Sequence, residues 1–194
     1  MSFETPFVEY LIVGTHTSIW LVLVIMAIFH IPPEALLTIN VGAIVPLIPI
    51  AYLLGALFST LTSYILNPFR KKIRNSIFSY EQYKDETIAY HSSELYAAYS
   101  VRMHRVRLMG PSIFNWLFLG IALPVYVGFL NPPIYIVAFV IPTLLSVLTA
   151  VAWRFLLIRA LEFRKNAIDV IRNEAKSIIL PKQRKKNFRV AVKD

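Results

Sequence analysis

The chain has no cysteine, which excludes disulfides, a thiolate nucleophile and any cysteine-based metal site. Local enzyme signatures are also missing: no HExxH zinc motif, no GxSxG elbow, no P-loop and no dinucleotide-binding glycine pattern. A di-metal or phosphatase-like centre would need more converging His and carboxylate side chains than the sequence offers. Catalysis, cofactors and bound metal are therefore not expected. His91 and Glu94, at i, i+3 with His104 further along, read as a solvated helix face.

The most telling absence is of charge. Residues 7–29, 39–66, 113–130 and 134–152 hold no Lys or Arg, and Glu9 is the one carboxylate among them. Runs of about 20 apolar residues are what a helix needs to cross roughly 30 Å of hydrocarbon. Of the 20 basic residues, eight lie between Arg70 and Arg107 and twelve lie from Arg154 onward. Positive charge thus sits at alternate ends of the four runs, as the positive-inside rule requires. A hydrophobic content of 57% excludes an ordinary soluble domain. Backbone amides in lipid must pair within their own segment, so the runs are helices.

The expected fold is all-α and polytopic, with four transmembrane helices in two hairpins and amphipathic or extended helices in the cytosol. Residues 1–66 form the first hairpin and 67–110 a cytosolic amphipathic helical segment. Residues 111–157 form the second hairpin, and 158–194 a cytosolic helix with a polybasic tail. No basic residue precedes the first run, which is too long for a cleaved signal peptide and reads as an uncleaved span. The expected location is the plasma (inner) membrane of a prokaryote, with both termini in the cytosol. A net charge of +9 would suggest nucleic acid in a soluble protein. Here anionic inner-leaflet lipid accounts for it, and nucleic acid is not an expected partner. The external connections, 30–34 and 131–133, carry paired prolines and offer little surface to an outside ligand.

Pro46, Pro49, Pro124 and Pro142 fall inside the predicted spans and should kink them, as hinges, as pore-lining bends or simply as packing geometry. Asn67-Pro68 reads as the start of a short amphipathic helix, FRKKIRNSIF. It would place Arg70, Lys71, Lys72 and Arg74 near lipid phosphates while Phe69, Ile73, Ile77 and Phe78 dip into the leaflet. A second helix is expected over 85–109, from the spacing of Ile88, Leu95, Tyr99, Met103 and Val106, with Gly110-Pro111 ending it. Residues 153–180 lack Gly and Pro, so one helix can run on until Pro181 stops it. Ile168, Ile171, Ala175 and Ile178 form a short seam for the 85–109 helix or a second subunit. The tail with Lys182, Arg184, Lys185 and Lys186 reads as a mobile lipid-binding segment.

Mid-membrane Asp, Glu, Lys and Arg are absent, which weighs against ion-coupled transport. His16, within Thr15-His16-Thr17-Ser18, is the one ionisable residue expected deep in the bilayer. It is a functional candidate, or else a neutral hydrogen-bond donor between helices. Thr15, Ser59, Thr62, Asn115, Ser146 and Thr149 share its depth. Together these seven line a water-filled vestibule behind a hydrophobic gate, or they form an interhelical hydrogen-bond network. Trp116, Trp153, Tyr64, Tyr126 and Tyr135 read as interfacial belt anchors, and Trp20 as a helix–helix contact.

In size and layout the chain resembles the membrane effectors of some prokaryotic defence systems, a likeness that assigns no residue a role. The polar inner halves of the spans and the cytosolic helices point first to a homo-oligomeric channel or membrane-permeabilising effector controlled from the cytosol. The alternative from the same features is a non-conducting anchor or scaffold that binds a cytosolic protein partner or anionic lipid. A small transporter or lipid-handling protein is the third reading.

Overall fold

The structure, a computed structural model, describes residues 4–37, 46–78, 92–128 and 134–191, and of 4–6, 36–37 and 172–191 the backbone alone. Its helices are α1 (Glu4–Ile28), α2 (Glu34–Leu37), α3 (Leu47–Ile77), α4 (Ser93–Gly128) and α5 (Tyr135–Ala191). Among the described residues there is no strand, and four helices are long and apolar enough to cross a membrane. Each turns a stripe of large apolar side chains outward. On α3 the stripe is Leu53, Leu57, Leu61 and Tyr64, and on α5 it is Ile136, Val140, Leu144, Val147 and Val151. Both repeat every three or four residues, one face of a helix. Surface this apolar belongs in lipid, and with the four spans it marks the chain as a membrane protein.

The chain divides into two compact units, Met1–Arg70 with His104–Leu156, and Lys71–Met103 with Leu157–Asp194. In the first unit α3 buries Gly55, Phe58, Thr62 and Leu66, one continuous helix face. At Gly55 it crosses α1 so closely that a Cβ on Gly55 would overlap the carbonyl of Tyr10. A Cβ on Gly14 would overlap the carbonyl of Ala51. Backbone-to-backbone approach of this kind depends on residues without side chains, and dispersion between the two backbones replaces the hydrophobic drive that lipid removes. Phe7 stacks on Tyr52 at 5.2 Å and Tyr10 meets the same ring edge-on at 5.7 Å, flanking the crossing.

The C-terminus of α1 closes with a Schellman motif. Ile31 N–H donates to Met26 O at 2.9 Å and His30 N–H to Ala27 O at 3.4 Å, with His30 at φ 53° in the left-handed region. Ile31 then packs on Met26, Ala27 and Tyr126, the hydrophobic contact that accompanies such caps. Tyr126, buried rather than set in an interfacial belt, donates its hydroxyl to Ile31 O at 3.1 Å. A buried phenol needs an acceptor, and the turn supplies one.

In the second unit Tyr99, Ala160, Leu161, Ala167 and Ile168 are buried. Arg164, 5% exposed, lies between Phe78 at 5.8 Å and Tyr99 at 5.6 Å. Arg102 covers the Phe163 ring at 3.9 Å. Stacking on aromatic faces lets guanidinium groups pack without losing their charge. Ser92 caps α4 by accepting the Leu95 N–H at 3.2 Å.

Several expected helix breaks are absent. Asn67-Pro68 starts no new helix, because α3 passes through Pro68 to Ile77. Gly110-Pro111 likewise lies inside α4, and α5 continues past Pro181 to Ala191. A lone proline frees one carbonyl and bends a helix, and ends it only where nothing packs on the flanking turns. Pro111 is fully buried and Gly110 sits against Leu66, so packing holds that stretch helical. Pro46 precedes α3 and Pro49 lies in its first turn, where a missing N–H removes no intrahelical bond. Pro124 and Pro142 are inside α4 and α5. The segment 79–91, with His91 and the start of the expected 85–109 helix, lies outside the described residues, as do 38–45 and 129–133. Lys182, Arg184, Lys185 and Lys186 belong to helical backbone of α5.

Candidate functional site

Asn115 is the centre of the polar set. It projects from α4 toward α1 and is 5% exposed. Its Oδ1 accepts from the Trp20 indole N–H at 3.1 Å and from the Thr17 hydroxyl at 3.1 Å, while its Nδ2 donates to Val13 O at 3.3 Å. The indole can only donate, which fixes the orientation of the amide. The Thr17 hydroxyl also lies 2.9 Å from Val13 O, so its single proton is shared between two acceptors on different helices. Around this cluster Trp20 stacks on Phe118 at 5.0 Å, and Phe58 of α3 meets Phe118 at 6.0 Å. Trp20 is thus the helix–helix contact that its mid-span position suggested.

Other members of the set bind backbone. Ser146 of α5 donates to Ile113 O of α4 at 2.9 Å, a second interhelical bond. Thr62, 1% exposed, donates to Ser59 O at 3.2 Å in its own helix. Thr149 donates to Leu145 O at 2.7 Å and Thr15 to Leu11 O at 2.8 Å, each within one helix. Asn115, Thr62 and Ser146 are therefore enclosed by protein, Ser59 and Thr149 are half-buried, and Thr15 and His16 are exposed.

His16 does not enter the buried cluster. Its ring faces Trp116 at 6.0 Å, beside a shallow groove of about 180 Å³ lined by His16, Ile19, Ser112, Asn115, Trp116 and Leu119. Nearer the start of α1, the carboxylate of Glu9 meets the His104 imidazole of α4. Glu9 is 8% exposed and faces its partner helix. Among the basic residues, Lys71, Lys72 and Arg74 are exposed while Arg70 is half-buried. Trp153 is buried as well, which removes it from the expected belt, whereas Tyr64 and Tyr135 are exposed.

No known protein family, curated protein or solved structure matches the chain. The geometry therefore stands alone. Among the described residues no three His, Cys, Asp or Glu side chains converge as a metal-binding group. The Gly14–Gly55 crossing, and the pairing of Asn115 with Thr17 and Trp20 in particular, emerge only in the fold. Gly14 and Ser18, and Ala51, Gly55 and Ser59, are small residues four apart, the one local signal for a close helix crossing.

Proposed function

We propose that this chain is a non-conducting membrane anchor, a four-span scaffold whose basic ends engage anionic lipid or an acidic partner in the cytosol. The observation that carries this reading is the engagement of Asn115, Thr17, Thr62 and Ser146 in hydrogen bonds within the helix bundle. Side chains already satisfied by protein have no need of water, and interhelical polar contacts in lipid contribute about 0.6 to 2 kcal/mol each to bundle stability. Both termini and the basic stretches lie on the cytosolic side of a prokaryotic inner membrane in this proposal, following the distribution of Lys and Arg. Ion flux through vesicles containing the purified protein tests it: an anchor leaves flux at the level of empty vesicles. Steady flux that requires the protein would overturn the reading.

One observation favours the homo-oligomeric channel as a second reading. His16 and Thr15 are exposed on α1 of the single chain. An ionisable side chain at membrane depth is costly against hydrocarbon and normally faces protein or water. Copies arranged around an axis would give that face both. In that case His16→Leu abolishes flux with assembly intact, and a closed ring of four or more subunits appears in nanodisc-purified protein.

A further inference from the structure

Gly110 of α4 is buried, and two donor-bearing side chains and one leucine press on the place its own side chain would take. A methyl placed there would lie 3.0 Å from Leu66 Cδ1, 3.5 Å from Arg70 Nη2 and 3.6 Å from Trp153 Nε1. Arg70 Nη2, Arg70 Nε and Trp153 Nε1 are all buried, and none has a hydrogen-bond partner among the described residues. Trp153 as a whole is 5% exposed. Two helices, α3 and α5, thus bring donors to one point against α4, with no acceptor among the described residues to receive them. Leaving a buried donor unsatisfied costs about 1–3 kcal/mol, and more where the group is charged. Arg107, one turn before Gly110 on α4, adds a second positive charge within electrostatic reach of Arg70. Among the described residues no carboxylate pairs with Arg70.

The chemistry of such a cluster is that of an oxyanion receptor. It has only donors and carries the Arg70 guanidinium charge, so its complement is an acceptor-only, negatively charged group. The sequence positions narrow the choice. Arg70 is the first charge after the apolar run 39–66, Arg107 the last before 113–130, and Trp153 directly follows 134–152. The donors therefore meet where three apolar runs end together, the level at which headgroup phosphates of a bilayer lie.

We propose that Arg70 and Trp153 form a binding site for a phosphate oxyanion beside Gly110, filled in the membrane by the headgroup of an anionic phospholipid. The Arg70 fork and the Trp153 indole donate to phosphate oxygens, and Arg107, one turn from Gly110 on α4, adds positive charge nearby. This deepens the anchor reading by giving it one defined lipid in place of a diffuse basic surface. It depends on the chain residing in a membrane and not on whether it conducts.

The test is native mass spectrometry of the full chain in neutral detergent, titrated separately with phosphatidylglycerol, phosphatidylcholine and inorganic phosphate, together with thermal melting of each mixture. Wild type is expected to retain one phosphatidylglycerol with at least about tenfold preference over phosphatidylcholine, as charge-assisted bonds imply. Arg70→Gln should lose that preference, Trp153→Phe should weaken it about threefold to tenfold, and Arg105→Gln, which removes an exposed charge from the same helix, should retain it. Anionic lipid should raise the melting temperature of wild type and not of Arg70→Gln, a comparison that separates lost binding from lost folding. Equal phosphatidylglycerol retention by wild type and folded Arg70→Gln, or an equal loss in Arg105→Gln, would overturn the site. If inorganic phosphate alone stabilises wild type through Arg70 and no lipid is retained, the oxyanion site stands with a free phosphate as its source, and the membrane-anchor reading is what fails.

Discussion

Trp20 of α1 donates its indole N–H to Asn115 Oδ1 of α4 at 3.1 Å, and this bond joins the two helices at the centre of the polar set. Asn115 returns a donor to Val13 O of α1 at 3.3 Å, so each helix both gives and receives. A residue tied in this way has little freedom to turn toward a pore.

Asn115→Leu should therefore destabilise the bundle rather than simply close a conduit. Removing these contacts is expected to cost about 2–4 kcal/mol, at about 0.6–1.7 kcal/mol per interhelical bond plus an unsatisfied indole. Reversible unfolding in detergent measures it. Asn115→Asp should be worse still, since a carboxylate cannot donate to Val13 O and would bury a charge. Stability equal to wild type in both variants would contradict the assigned network.

Gly14 and Gly55 permit the closest approach of α1 and α3. Gly55→Ala is expected to cost about 2 kcal/mol or more, because the added methyl would overlap the Tyr10 carbonyl and force the helices apart. A nearby exposed change, Leu57→Ala, removes no buried contact and should leave the melting temperature almost unchanged. The comparison is a pair of thermal melts in one detergent.

Much of this was legible in the sequence, and the remainder was lost for identifiable reasons. The four apolar runs emerge as four spanning-length helices because hydropathy is a local property that survives any packing. The long helix after Trp153 was equally plain, since nothing in 153–180 interrupts it. Pro68, Gly110-Pro111 and Pro181 misled because a local helix-breaking preference yields to tertiary contacts, seen at Gly110 in its packing on Leu66. Trp153 and Tyr126 sit near span ends in sequence, and only the fold reveals that both point inward. The sequence groups the polar residues by position along their helices, and such a grouping cannot distinguish a side chain facing water from one facing a helix.

Tyr126→Phe should loosen the turn that follows α1. The hydroxyl bond to Ile31 O is lost while the ring remains, so the expected cost is about 1 kcal/mol. Hydrogen exchange reads it locally: the Ile31 amide, bonded to Met26 O in wild type, should exchange several-fold faster, with amides in the middle of α1 unchanged.

Arg164 should resist replacement by lysine. Its guanidinium lies between Phe78 and Tyr99, and an ammonium cannot stack between two rings. Arg164→Lys is expected to lose about 1–2 kcal/mol in unfolding experiments, from weakened cation–π contacts and poorer packing. Exposed Lys165→Arg serves as the neutral comparison.

The most direct measurement uses the absence of native cysteine. Single cysteines at Thr62, Ser146 and Asn115, with Lys71→Cys as the exposed reference, are introduced into protein reconstituted in vesicles. Each is then treated with a water-soluble maleimide from either side. A bundle whose polar residues pack between helices predicts rapid modification at Lys71→Cys and none at the three buried positions. Rapid labelling at Thr62→Cys or Ser146→Cys, in folded protein, would mean that water reaches the polar set, and the vestibule would replace the anchor.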